Sequence, residues 1–357
     1  MAPSPKTRQT NSARQQPPHA QRQPTQADIE YAVGLIDRVT SIAGALNYIE
    51  NVRASLDSAG VRLAVMAHDS GPIFNWLLDE ISHQGIADSV AAGYIDAHGQ
   101  VTWQDINTGL QQLIACPKLH SYWQFHGCRY HKGNRTCARP DLIGDCPLPT
   151  HDLRNGHLNQ AAYSLWLFMR DVCGGDLVGW IDNRIATAGA PDQPGWATRA
   201  GQAVLGPLRN VYGVSDKVLG MALARLLIGA SPERPQWLAV GVNMIAIDTL
   251  VHNFLVRTGI LARFASEHAY GAACYGPIGC AAILSEIAQR IDAREYNTTY
   301  PKVFPRFIQH AIWRYCANLG LDLCNGNRIG DRRRCDNIVC HVHSICDRKT
   351  LKNQAFA

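Results

Sequence analysis

Lys217 stands where a helical pattern restarts. Upstream, Leu205, Leu208 and Val211 recur at helical spacing; the pattern breaks over Tyr212-Gly213-Val214-Ser215-Asp216 and resumes from Lys217 through Ile228. The stretch reads as helix, tight turn, helix. Gly213 allows a backbone conformation closed to other residues, and the second helix then starts with unpaired N–H groups pointing outward, which suits a phosphate. Taken alone, Lys217 is a solvated first-turn lysine. Asp248 precedes the helical run to Arg257 and reads as its N-cap, a role that holds a carboxylate rigidly in place. The other chemically capable residues are thiols. Cys324, Cys335, Cys340 and Cys346, with ten, four and five residues between them, can surround one metal centre. His341 and His343 could substitute as ligands and give a zinc site instead. Arg328, Arg332, Arg333, Arg334, Arg348 and Lys349 flank these ligands, as phosphate contacts or as a solvated charged loop. A second possible metal set is Cys116, Cys128, Cys137 and Cys146, with His120, His126 and His131 interspersed. Its aromatics Tyr122, Trp123 and Phe125 are expected to form a small core around that centre rather than a base-stacking platform.

The elements that must position these residues are helical. With 357 residues and 46% hydrophobic content the chain can bury a sizeable core. Residues 1–26 carry Lys6, Arg8, Arg14 and Arg22, no acidic residue and many Gln and Pro, the composition of a disordered basic tail. From 27 to about 115 apolar residues recur at helical spacing, as in Ile29, Ala32, Val33 and Ile36, then Ile73, Trp76, Leu77 and Ile81. Residues 116–150 break the pattern and read as a Cys/His-rich insertion. Periodicity returns over 151–320, including Gln160 to Met169, Val218 to Ile228, Asp248 to Arg257 and Ala281 to Ile291. A last helix opens at Pro305, runs past Leu319 and stops at Gly320. Residues 321–357 form a four-cysteine loop and tail. No convincing hairpin or alternating strand is visible, so the expected fold class is all-α. The net charge of +5 is compatible with a polyanionic partner without demanding one. No stretch approaches the roughly 18 apolar residues of a membrane span and the N-terminus lacks an apolar signal run, so a cytoplasmic or nucleoid-associated location is expected. Twelve cysteines in such a chain read as metal ligands or buried apolar residues rather than disulfides.

Gly213, Val214, Ser215 and Lys217 resemble the helix-hairpin-helix signature of the endonuclease III and oxoguanine glycosylase superfamily, with Ser215 at the usual second glycine. Ala246-Ile247-Asp248-Thr249-Leu250-Val251-His252 is similar to the segment carrying that family's catalytic aspartate, and Leu250 stands where the family usually has His. The Lys217 to Asp248 interval is longer than usual; the extra residues fall in Gly229 to Leu238, expected to form a loop outside the helical barrel. Ile81-Ser82-His83-Gln84 resembles the helix end whose glutamine probes the gap left by a flipped base, although Gln84 also reads as an ordinary polar residue.

The resemblance covers about 70–110 and 157–350 and implies a two-part helical fold. It implies a monomeric base-excision glycosylase acting on double-stranded DNA, with Lys217 and Asp248 as catalytic pair. Gly213, Val214, Ser215, Gln84, Arg332, Arg333 and Arg334 would contact DNA. Cys324, Cys335, Cys340 and Cys346 would hold a [4Fe-4S] cluster, with zinc as the alternative. A flipped base would be excised as Asp248 stabilises charge on the sugar and Lys217, as a neutral amine, attacks the sugar carbon to give a Schiff base. The rival expectation is a metal-containing DNA-binding protein without catalysis. The base removed is not legible in the sequence.

Overall fold

The computed structural model describes residues 23–82, 101–112, 116–125, 157–230 and 233–352, with isolated helical positions between 90 and 97 and short strands at 130–131 and 136–137. Helices carry the architecture; a two-residue ladder pairs Tyr130 with Cys137 and His131 with Thr136. No described helix is long and apolar enough to cross a membrane. Residues 1–22, Gln84 and most of the Cys/His-rich insertion lie outside the described residues.

The first described residues, from 23, fall inside the expected 1–26 tail. Thr25 caps α1 (Gln26–Ala43) in a reciprocal box: its Oγ1 accepts the Asp28 amide at 3.2 Å, and its own amide donates to Asp28 Oδ2 at 3.0 Å. Then come α2 (Tyr48–Ser58), α3 (Val61–Ala67), α4 (Ser70–Ser82) and α5 (Trp103–Gln112). After the insertion follow α6 (His157–Asp171), α7 (Leu177–Ala186), α8 (Trp196–Leu208) and α9 (Asp216–Gly229). The chain closes with α10 (Pro235–Gly241), α11 (Thr249–Arg257), α12 (Cys280–Ala288) and α13 (Pro305–Cys316).

Apolar faces assemble into two core clusters. Helices α3 to α8 and α10 build one, around Phe74, Phe168 and Trp237. Helices α1, α11, α12 and α13 build the other, around Ile36, Phe254 and Phe307. Two helices stitch them together. In α2, Ile49 and Val52 enter the second cluster while Leu56 enters the first; in α9, Ile228 enters the second and Leu223 and Leu227 the first. Lys217 and Asp248 line a cleft between the clusters.

Three local expectations change. The 229–238 stretch is not wholly an outer loop: Pro235 starts α10, and Trp237 is buried with its Nε1–H donating to Asp182 Oδ1 at 2.6 Å. The last helix ends at Cys316 rather than Gly320. Ala317 turns to extended backbone, and Leu321 and Leu323 donate back to the carbonyls of Arg314 and Tyr315, leaving Leu319 exposed. A Cβ on Gly320 would meet the Arg314 carbonyl oxygen at 2.0 Å, so the glycine permits this close return rather than capping the helix. In the insertion, Phe125 is buried and Tyr122 packs edge-on against Phe168, but Trp123 is exposed. Cys116 is buried in the apolar first cluster; the side chains of Cys128, Cys137 and Cys146 fall outside the described residues.

Candidate active site and metal centres

The helix–turn–helix of α8 and α9 is present. Gly213 has φ +69°, the left-handed turn expected of it, and Ser215 is the extended N-cap residue of α9. Val214 packs against the first core cluster and Arg209 pairs with Asp216 at 2.9 Å across the turn. Lys217 is therefore in the first turn of α9, partly buried. Asp248 caps α11: its Oδ1 accepts the Val251 amide at 2.9 Å.

Both side chains line one cleft of about 820 Å³ between the core clusters. From the first cluster come Asp79 and Glu80 of α4 and Lys217, Val218, Met221 and Arg225 of α9. From the second come Tyr48, Asn51 and Val52 of α2, Ala246 and Asp248, and Arg306, Gln309, His310 and Trp313 of α13. The walls are chemically distinct. Glu80 and Arg225 form an ion pair, and Arg225 also donates to Ser55 Oγ at 2.8 Å. Opposite, the buried Arg306 guanidinium donates to Gln309 Oε1 at 2.5 Å and to the Tyr48 hydroxyl at 3.2 Å. Tyr48, His310 and Trp313 make a ladder of rings, with centroids 4.8 Å and 5.8 Å apart and the last pair stacked. Burial, then Arg306 and Arg314, lower His310 to about 3, so its ring is neutral at physiological pH, and its buried Nδ1 has no hydrogen-bond partner among the described residues. The cleft thus combines an amine, a carboxylate, planar apolar faces and a neutral ring nitrogen. That suits a planar, hydrogen-bonding ligand of modest size. Sequence reasoning missed the ring ladder because Tyr48 and His310 are far apart in the chain.

The four C-terminal cysteines converge. Cys324, Cys335, Cys340 and Cys346 line one small enclosed cavity together with Phe254, Arg257, Ile329, Val342, His343 and Arg348. Hydrogen bonds reach the sulfurs: the Arg348 amide lies 3.3 Å from Cys346 Sγ, and the Tyr315 hydroxyl 3.2 Å from Cys340 Sγ. Burial pushes Cys346 up to about 12 and also raises Cys340. Contact with the buried Cys316 thiol, reinforced by Arg257, lowers Cys324. Dry thiols resist ionisation unless a cation replaces the proton, which is the condition a metal satisfies. Two cationic side chains also face this cavity with work left over. Arg257 is buried and bonds Asp331 through Nη2, yet its buried Nη1 has no partner among the described residues; the same holds for Arg348 Nε. A centre with net negative charge would satisfy both, so the residues fit a four-thiolate cluster. Of the expected alternative ligands, His343 is beside the cavity and hydrogen-bonds Arg348, whereas His341 is exposed. Arg332, Arg333 and Arg334 are all exposed on this loop.

A further metal-competent group lies at the middle of α11. His252, His268, Cys274 and Cys280 each bring one ligand atom within 4.8 Å of the others, close enough to bind a metal ion. The Cys280 thiol, then His252, hold Cys274 well below the usual thiol range. Sequence reasoning missed this group. Its trace is a His268-x5-Cys274-x5-Cys280 spacing in a glycine-rich loop. Scans of the chain against protein-family models, curated proteins and solved structures found no match to any of them.

Proposed function

We propose that the chain is a base-excision DNA glycosylase of the helix-hairpin-helix kind, with an associated lyase activity. The observation that carries this reading is the meeting of Lys217 and Asp248 in one cleft large enough for a flipped base. Both residues stand at helix starts, so their backbones are rigidly placed. The Tyr48, His310 and Trp313 rings offer stacking surface for the base, and Arg306, Gln309 and the neutral His310 offer hydrogen bonds to its edge. Asp248 stabilises positive charge as it develops on the sugar. The Lys217 amine bonds to the sugar carbon as the base leaves with the glycosidic electron pair; one aminium proton then passes to the ring oxygen as the carbon–oxygen bond breaks, which leaves the protonated Schiff base. Gly213, Val214 and Ser215, in the turn that leads into α9, would border a DNA phosphate, and exposed Arg332, Arg333 and Arg334 add salt-dependent contacts.

Cys324, Cys335, Cys340 and Cys346 would hold a [4Fe-4S] cluster. Such a group supplies shape to the basic loop and no step of the excision. In favour of a cluster over one ion, its four thiolates bind four separate irons and so need not crowd together, and these cysteines do not form a tight set of the His252 kind. The deciding experiment incubates purified protein with duplexes containing uracil, oxidised, alkylated or mismatched bases, with and without borohydride. Excision of one class and a trapped covalent complex that Lys217→Ala abolishes are expected. DNA binding with no excision of any base would leave the non-catalytic DNA-binding protein in place of this reading.

A further inference from the structure

We infer that His252, His268, Cys274 and Cys280 hold a single zinc ion in a closed tetrahedral site that fastens the 264–280 loop to α11. The distances have the right size for one ion. Zn–S bonds of about 2.3 Å and Zn–N bonds of about 2.0–2.1 Å at the tetrahedral angle set each sulfur about 3.5 Å from each ligating nitrogen. Here His252 Nδ1 lies 3.4 Å from Cys280 Sγ and 3.5 Å from Cys274 Sγ, and His268 Nε2 lies 3.4 Å from Cys280 Sγ. A two-iron cluster of the His2Cys2 type puts its imidazoles on one iron and its thiolates on the other, and so separates nitrogen from sulfur across the cluster. That separation is absent. Tetrahedral S2N2 donors select zinc.

The surroundings prepare the ligands. His268 Nδ1 lies 2.6 Å from the Ser266 carbonyl oxygen, which can only accept, so Nδ1 carries the proton and Nε2 turns its lone pair toward the sulfurs. Four protein ligands fill a tetrahedral ion and leave no position for substrate; Cys274 and Cys280 are fully buried, His252 nearly so and His268 half-buried, which assigns the ion a structural role. The loop that brings Cys274 to α11 folds through successive turns, Cys274 N–H to Gly271, Gly276 N–H to Ala273 and Gly279 N–H to Gly276. From the same loop the Tyr275 hydroxyl accepts the Ile247 amide at 2.9 Å, holding the residue beside Asp248. The zinc therefore secures the strap that supports the N-terminal end of α11. This site rests on its own geometry and not on the DNA reading.

The test is metal content of the full chain expressed with zinc and iron both supplied, with cysteine alkylation mapped by mass spectrometry. One zinc per chain is expected, and Cys274 and Cys280 should alkylate only after a chelator removes it. The Cys274→Ser/Cys280→Ser variant should lose zinc and keep whatever iron the wild type carries. Replacement by Co2+ in the wild type should give thiolate charge-transfer bands and the intense visible bands of a tetrahedral ion, a readout that stands even if the variant fails to fold. Substoichiometric zinc in the wild type, zinc retained by the variant, or a Cys274–Cys280 disulfide in freshly prepared protein would each overturn the assignment. Because the C-terminal cysteines are mapped separately, zinc bound there instead would also register against it.

Discussion

Asp248 accepts the Val251 amide through Oδ1, and the same carboxylate borders the cleft. Asp248→Asn keeps a capping oxygen and removes the charge. The melting temperature should therefore hardly move, while single-turnover excision slows on the order of 100-fold or more. A normal rate in that variant would reduce Asp248 to its cap. The N-cap role was readable from the sequence because a helix run must begin somewhere and aspartate is good at beginning it. His310 was only partly readable: Arg306 and Arg314 stand four residues to either side of it on the same helix, but the burial that does most to empty it of charge is set by packing against distant segments. Its folded value, about 3, is below the 6.5 of an ordinary histidine, so the unfolded chain binds the extra proton first. The stability it contributes is thus fully present above about pH 6.5 and is lost as pH falls from there toward 3. Urea midpoints followed across that range should show His310→Gln flattening the acid-side slope; an unchanged slope would mean the ring is hydrated and titrates normally.

At the scale of elements, α11 carries three constructions on nine residues: Asp248 at its cap, His252 at its centre, and Phe254 and Arg257 against the four-cysteine cavity. Its existence was legible from apolar spacing. The function of its middle was not, since the His252 partners come from a loop with fifteen, five and five residues between ligands, wider than the paired spacings that mark a zinc site. The C-terminal cysteines were legible because they are crowded into a segment with little apolar content of its own. For the same reason that segment depends on them. Cys340→Ser should abolish bound iron and the brown colour of anaerobically purified protein, and make 324–346 an early site of protease cleavage. It should weaken DNA binding more than it slows excision per bound complex. Colourless wild-type protein with zinc and no iron in this loop would replace the cluster with a zinc centre.

For the whole molecule, the two core clusters were only partly foreseeable: each helix announces its apolar face, but which face meets which depends on α2 and α9 reaching into both clusters. The Glu80–Arg225 pair and the Tyr48–His310 contact follow from that stitching and from nothing local. Charge is a property of the whole that can be tested without knowing the base removed. The chain carries +5 net, with Arg332, Arg333 and Arg334 exposed together. Each phosphate contact that releases condensed counterions steepens the salt dependence of duplex affinity by about 0.9 in log–log slope. Undamaged duplex should therefore bind more weakly with rising salt, and replacing all three arginines by Ala should make the slope shallower by up to about 2.7. Deleting 1–22 spares the Thr25 cap and should leave the melting temperature unchanged. Deleting through 26 removes that cap and should cost about 1 kcal/mol. A flat salt response in the intact chain would remove nucleic acid as the main partner. A steep response unaffected by the triple substitution would move the phosphate contacts away from the cysteine loop and onto the start of α9.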